Sequence, residues 1–229
     1  PSISSAASDV YKRQMYEYLH RILGRIIGII FFIPLLYFTI RKAIPPVLIP
    51  RLYLLLILGG FQGVLGWYMV KSGLVDDPNV SQYRLTAHLG MAVFIYSLIL
   101  WTVFDLSLNY NHAIRSRIKW MSSTLTLLIF LMILSGGLVA GTRAGIPFPT
   151  WPLMGDTFIP PQIYSMNPSW LSAFEDMATI QFNHRMFAYL LTIFIVIFAI
   201  VLLGSNVPRF LKNGTTVLLF VLSLQVVLG

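Results

Sequence analysis

The chain contains no cysteine. This excludes disulfides, thiolate nucleophiles, thiolate metal ligands and thiolate-held haem. Charge is also scarce: Asp, Glu, Lys and Arg make up 10% of the 229 residues, against about a quarter in a soluble domain. Acids are the rarer sign, 8 against 16 Lys and Arg, for a net charge of +8. The cations are not gathered into a stripe, so no nucleic-acid partner is expected. A glycine-rich phosphate loop, a zincin motif and a serine elbow are all missing. We read no cleavable signal peptide.

Apolar residues fill the space left by charge, at 57% of the chain. They gather into six segments, roughly 22–40, 52–70, 86–106, 121–141, 185–204 and 215–229. The first five are long enough to cross a hydrocarbon core of about 30 Å as helices. The sixth is still apolar at Gly229, so the chain is expected to stop inside a span. The runs are continuous and do not alternate, which argues against barrel strands. The expected fold class is therefore an all-α polytopic membrane protein with about six spans. Residues 1–14, PSISSAASDVYKRQ, are polar and unlike the rest. They read as a disordered tail or an extraneous segment outside the fold.

The few charges sort by loop. Arg41, Lys42 and Arg51 follow the first span, Arg115, Arg117 and Lys119 the third, Arg209 and Lys212 the fifth. The alternate loops mix Lys71, Arg84 and Arg143 with Asp76, Asp77, Asp156, Glu175 and Asp176. By the positive-inside rule the basic loops face the cytoplasm, or the matrix of a mitochondrion. The first, third and fifth spans then begin on the opposite side. The non-basic loop from Thr142 to Ile180 is about forty residues long and carries six prolines with Trp151 and Trp170. It reads either as a cap on the bundle or as a passive connector with interfacial aromatics.

Ionisable side chains at membrane depth are rare and usually functional. His20, His88 and His184 all sit near the beginnings of the odd-numbered spans, hence at similar depth. His112, in the loop NYNHAIRSR, reads as a solvated residue. Two of the three deep histidines head matching stretches. His20 in YLHRILGR is followed 42 residues later by Gln62 in FQGVLG, and His184 in FNHRMFAY is followed 41 residues later by Gln225 in LQVVLG. Superposing the stretches at an offset of about 164 residues gives two related halves, a pattern common in polytopic membrane proteins. The counterpart of Ser135–Gly141 would lie upstream of residue 1. The counterpart of His88 would lie near position 251. The expectation is two pseudo-repeated four-helix halves in the full-length protein, with the first and last helices outside this chain. Residues 15–110 would form the first half and 111–229 the second.

Imidazoles on facing helices of a bundle can hold a haem. His20 and His88 are the natural pair of the first half, and His184 has no partner in this chain. Plain hydrogen bonding within the bundle is the alternative for each. Glu17 precedes His20 by three residues, on one helical face. It reads either as a carboxylate acting beside the site or as an interfacial acid paired with Arg13 or Arg21. Arg21, Arg84 and Arg185 fit haem propionates or lipid phosphate equally well. Arg25 leans toward a buried role. Gly59, Gly63 and Gly66 in the second span, and Gly137 with Gly141 in the fourth, read as close helix contacts. A flat cofactor edge against bare backbone is the lesser alternative.

The strings EYLHRILGR, FQGVLGWYMVKSGL, VSQYRLTAHLG, GGLVAGTRAG, PLMG and QFNHR resemble the haem A synthase family, in its mitochondrial type, over roughly residues 15–229. The resemblance implies an oxidoreductase that turns a porphyrin methyl group of haem O into a formyl group, giving haem A for cytochrome c oxidase. It implies that His20 and His88 mark the substrate-haem half, with Glu17 as the catalytic carboxylate. His184 would bind a haem b cofactor. The resemblance also implies an electron donor such as a ferredoxin system and a lipid bilayer as surroundings, and it leaves room for a homo-oligomer. The location would be the mitochondrial inner membrane or a bacterial plasma membrane. The rival readings are a two-haem electron-transfer cytochrome and a non-enzymatic haem carrier. A transporter is disfavoured, because no span is broken by paired Gly and Pro at its middle.

Overall fold

A computed structural model describes residues 3–73, 80–108 and 114–228, with side chains for 15–70, 80–108 and 114–228. His112, Asp76, Asp77 and the side chains of the 1–14 stretch lie outside the described residues. The chain is helical: α1 (Ile3–Ile40), α2 (Ile49–Gly73), α3 (Gln82–Ser107), α4 (Ser116–Thr142), the short α5 (Ser172–Glu175), α6 (Met177–Leu203) and α7 (Arg209–Leu228). Six stretches are long and apolar enough to span a membrane: Met15–Ile40, Ile49–Val70, Gln82–Ser107, Ser116–Thr142, Met177–Leu203 and Arg209–Leu228. The chain is a polytopic membrane protein, as its apolar runs require.

Two differences from the sequence reading concern helix beginnings. The backbone of α1 is already helical at Ile3, inside the stretch set apart as a tail. The first, third and fifth spans also start earlier than the apolar runs do, at Met15, Gln82 and Met177. A helix satisfies its own backbone polar groups, so it continues through polar residues wherever their side chains find partners or water. The three histidines consequently lie inside their spans, roughly 8–11 Å along the axis from each span's start at 1.5 Å per residue.

Each span packs on the next in sequence, and the tightest seams are α3 on α4 and α4 on α6. The α4–α6 seam is a leucine-type ridge. Ile118, Met121 and Leu125 meet Leu191, Ile195, Phe198 and Leu202, all buried, and α7 adds Leu211, Leu218 and Leu222 at its edge. Their spacing of three and four keeps each set on one helical face. Hydroxyls within the spans bond the carbonyl four residues back, as Thr102 does to Leu98 at 2.7 Å and Ser122 to Ile118 at 2.8 Å. Polar residues therefore cost little in a lipid setting.

The α3–α4 seam is set by glycine. A Cβ at Gly137 would stand 2.8 Å from Thr86 Oγ1, and one at Gly141 would stand 2.6 Å from the Cα of Gln82. The close-contact reading of this pair is correct, and it brings the head of α3 against α4. Gly59 and Gly63 differ: nothing lies within 4 Å of either among the described residues. Gly141→Ala is expected to push against backbone and cost about 1–3 kcal/mol, whereas Gly28→Ala, in open space, should cost nothing. Thermal unfolding in detergent compares the two, and equal midpoints would contradict the seam.

α4 ends at Arg143, whose φ of 55° is left-handed, with the Ala144 N–H bonded to Val139 O at 3.0 Å. Ala144 is fully buried. The chain then enters the long loop and returns at Asp176, which caps α6 by accepting from the Thr179 N–H at 2.8 Å.

Candidate functional site

His88 lies in α3, facing α2. Gln62 Nε2 donates to the His88 carbonyl at 3.1 Å and stands 3.4 Å from His88 Nε2. One turn further along α2, the missing side chain of Gly66 makes room for the ring: a Cβ there would lie 3.0 Å from His88 Cε1. His88 Nδ1 and Gln62 Oε1 are buried and have no hydrogen-bond partner. His20, on α1, is within electrostatic reach of His88. The structure thus brings together the two histidines paired in the sequence, and it places His20 on an exposed stretch of α1.

His184 is half-buried in α6, facing α4. Its Nδ1 is 3.0 Å from Ser135 Oγ, and Gly136 Cβ would be 3.5 Å from Cε1. Its Nε2 takes no hydrogen bond among the described residues. Among those residues there is no group of three or more His, Cys, Asp or Glu side chains placed to hold a bare metal ion. The imidazoles instead come singly or as a pair on separate helices. A neutral imidazole that binds iron through one nitrogen needs its other nitrogen fixed by an acceptor or carbonyl. Ser135 supplies such a partner at His184. At His88 one nitrogen is engaged by Gln62 and the other is buried and orphaned. These residues fit axial ligation of a haem.

The candidate charged residues have partners that the sequence did not specify. Arg21 bonds Glu17 at 3.3 Å, on the exposed face of α1. This is the ion pair that was one of the two readings of Glu17. Arg84 stacks over the ring of Tyr68, its Cζ 4.4 Å from the centroid. Arg185 is engaged by the loop: NH2 donates to Phe148 O at 2.8 Å and NH1 to Leu153 O at 3.2 Å. Arg25 is exposed, against the expected lean toward burial. Lipid and water compete well for a long guanidinium stem at this depth.

The long loop is a folded cap. Gln181 donates to the same Phe148 carbonyl at 2.8 Å, Trp151 Nε1 to Tyr189 OH at 2.9 Å, and Tyr164 OH to Asn183 at 3.0 Å. These partners flank His184 on α6. At its far end Glu175 accepts from Tyr83 OH at 2.5 Å and from Gln82 Nε2 at 2.9 Å, both at the head of α3. The cap therefore ties α6 to α3. Sequence reasoning missed Ser135, Gln181 and Glu175 as site residues. Ser135 stood in the noted SGGLVAG string, whereas Glu175 meets its partners only across more than ninety residues.

The pattern of the cytochrome oxidase assembly protein family, COX15-CtaA, matches residues 5–229. The chain belongs to that family. It is 46% identical over 224 residues to a haem A synthase of Nitrosospira multiformis, an alignment covering 93% of this chain and 61% of that protein. It is 46% identical over 181 residues to a haem A synthase of Parvibaculum lavamentivorans, covering 79% and 53%. A third relative, a haem A synthase of Wolbachia pipientis wMel, is 38% identical over 189 residues, covering 81% and 54%. The chain spans between half and two thirds of the length of these curated relatives. No solved structure matches it.

Proposed function

We propose that the chain works as a haem A synthase, an oxidoreductase converting the methyl group of haem O to the formyl group of haem A. The observation that carries this reading is the pair His20 and His88 on separate helices, with the buried, unpartnered His88 Nδ1 between them and the cradle of α2. The names of the relatives point the same way. The reaction proceeds by two hydroxylations of the methyl carbon, then loss of water from the geminal diol. Residues 15–110 form the substrate half, where His20 and His88 hold haem O and Glu17 is the carboxylate beside it. Residues 111–229 form the cofactor half, where His184 holds haem b, which supplies or accepts electrons when bound. The helix bounds support the two-half organisation: shifting Met15–Ile40 by 164 residues gives 179–204, close to Met177–Leu203.

We assign Arg21, Arg25 and Arg84 to the neighbourhood of the substrate haem and Arg185 to that of the cofactor haem. The reducing equivalents come from a donor such as a ferredoxin system, and a homo-oligomer is compatible with the exposed apolar helices. The basic loops face the cytoplasm of a bacterium or the matrix of a mitochondrion. The relatives named above are bacterial, which favours the plasma membrane and counts against the mitochondrial qualifier.

Haem extraction from membranes expressing the protein with a haem O source tests the reading. Haem A should appear, and should vanish in His20→Ala. Haem O persisting unchanged beside bound haem b, with donor and oxygen supplied, would overturn it in favour of an electron-transfer cytochrome or a carrier.

A further inference from the structure

The repeat contains a feature that the haem reading leaves unused. Gln62 and Gly66 stand four apart in FQGVLG, and Gln225 and Gly229 stand four apart in LQVVLG. Residues four apart share a helical face. On α2 that face meets His88, and both members of the pattern touch it. Gln62 Nε2 grips the His88 carbonyl at 3.1 Å and lies 3.4 Å from the ring. Gly66 gives the ring its place, since any Cβ would come to 3.0 Å from Cε1, tighter than ordinary packing allows. Gly63, between them on another face, has nothing within 4 Å. The glycine that touches the ring is thus the one that recurs with the glutamine. Gly63 has no counterpart, because valine stands at the matching place in the second copy.

We propose that Gln62 and Gly66 form a cradle that fixes the plane of the His88 imidazole, making Gln62 a positioning residue for an axial ligand. The inference rests on the reading of His88 as a haem ligand. Gln62 holds main chain and ring at once, so the imidazole cannot swing about its side-chain torsions without breaking a bond. Gly66 closes the opposite edge by contact. Gln62 Oε1, buried and unpartnered, leaves the amide with an acceptor still available at the site. The same Gln-x-x-x-Gly pattern on α7, the helix standing in the place of α2 under the repeat, is independent support. A seam between α2 and α3 alone would give no reason for its recurrence.

The test uses the full chain, purified with haem, in four variants. His88→Ala identifies the haem in question by its loss. Gln62→Met keeps length and removes both polar atoms, and Gly66→Ala intrudes on the ring edge alone. Gly63→Ala is the control. The readouts are haem retained per protein and the low-spin electron paramagnetic resonance g values, which report the orientation of axial imidazole planes. Gln62→Met and Gly66→Ala should shift the g values and weaken haem retention by about 10-fold, the scale of an outer-shell partner, while Gly63→Ala matches the parent. Unchanged g values in Gln62→Met and Gly66→Ala, with the haem lost in His88→Ala, overturn the cradle alone. Full haem content in His88→Ala overturns the ligand reading and the cradle with it. Should Gln62→Met fail to fold, Gly66→Ala decides the matter, because the Cβ it adds meets a side chain and not backbone.

Discussion

His184→Ala is expected to yield protein that has lost a haem while its helices remain folded. His184 lies about two turns inside α6, half-buried, with Nδ1 taken by Ser135 at 3.0 Å and Nε2 left without a hydrogen bond. An imidazole serving only to join α4 to α6 would be worth about 0.5–1.5 kcal/mol, the net value of one neutral hydrogen bond. Its removal would lower the unfolding midpoint slightly and leave haem content alone. An imidazole serving as ligand gives the opposite result, because the long α4–α6 ridge of Ile118, Leu125, Leu191 and Ile195 keeps the helices together without it. Ser135→Ala should be graded between parent and His184→Ala, with haem retention weakened about 10-fold. Pyridine haemochrome assays against circular dichroism separate the cases. Full haem content in His184→Ala would remove this residue from the ligand set.

The six spans were legible in the sequence because lipid demands continuous apolar runs, and the common depth of His20, His88 and His184 followed from loop charge. The starts of the spans were not legible. Polar residues such as Gln181 and Arg185 enter α6 because a loop more than thirty residues earlier offers carbonyls to them. No local signal announces such partners. The glycines show the same limit. Gly59 with Gly63 and Gly137 with Gly141 are the same pattern on paper, yet only the second pair meets a neighbouring helix among the described residues. Which face a neighbour crosses depends on packing along the whole bundle. The arginines were read as partners of propionate or phosphate, because an isolated guanidinium suits either. Three of them have other partners in the fold: a carboxylate for Arg21, an aromatic ring for Arg84, carbonyls for Arg185. The pairing of His20 with His88 survived because both residues are fixed by helix position and not by side-chain reach.

Arg185→Ala should open the cap over α6. Its guanidinium holds Phe148 O at 2.8 Å and Leu153 O at 3.2 Å, and hydrogen bonds from a charged donor are worth about 1.5–3 kcal/mol each. The Leu153 bond is exposed and belongs at the bottom of that range. Phe148 O keeps its bond from Gln181, so it is not orphaned. A local loss of about 2–3 kcal/mol follows, which at 1.4 kcal/mol per decade raises the open population of the loop about 30- to 100-fold. Hydrogen exchange over residues 146–165 measures this directly, and Arg185→Lys, able to reach one carbonyl at a time, should fall between. The experiment also separates two uses of the side chain. If the loop exchanges as in the parent while haem is lost, Arg185 serves a propionate and the carbonyl contacts are incidental. If exchange rises first and haem retention falls only with it, the arginine acts through the cap, whose other end is held to α3 by Glu175 on Tyr83 and Gln82. In that second case Glu175→Gln should reproduce part of the effect from the far side of the loop.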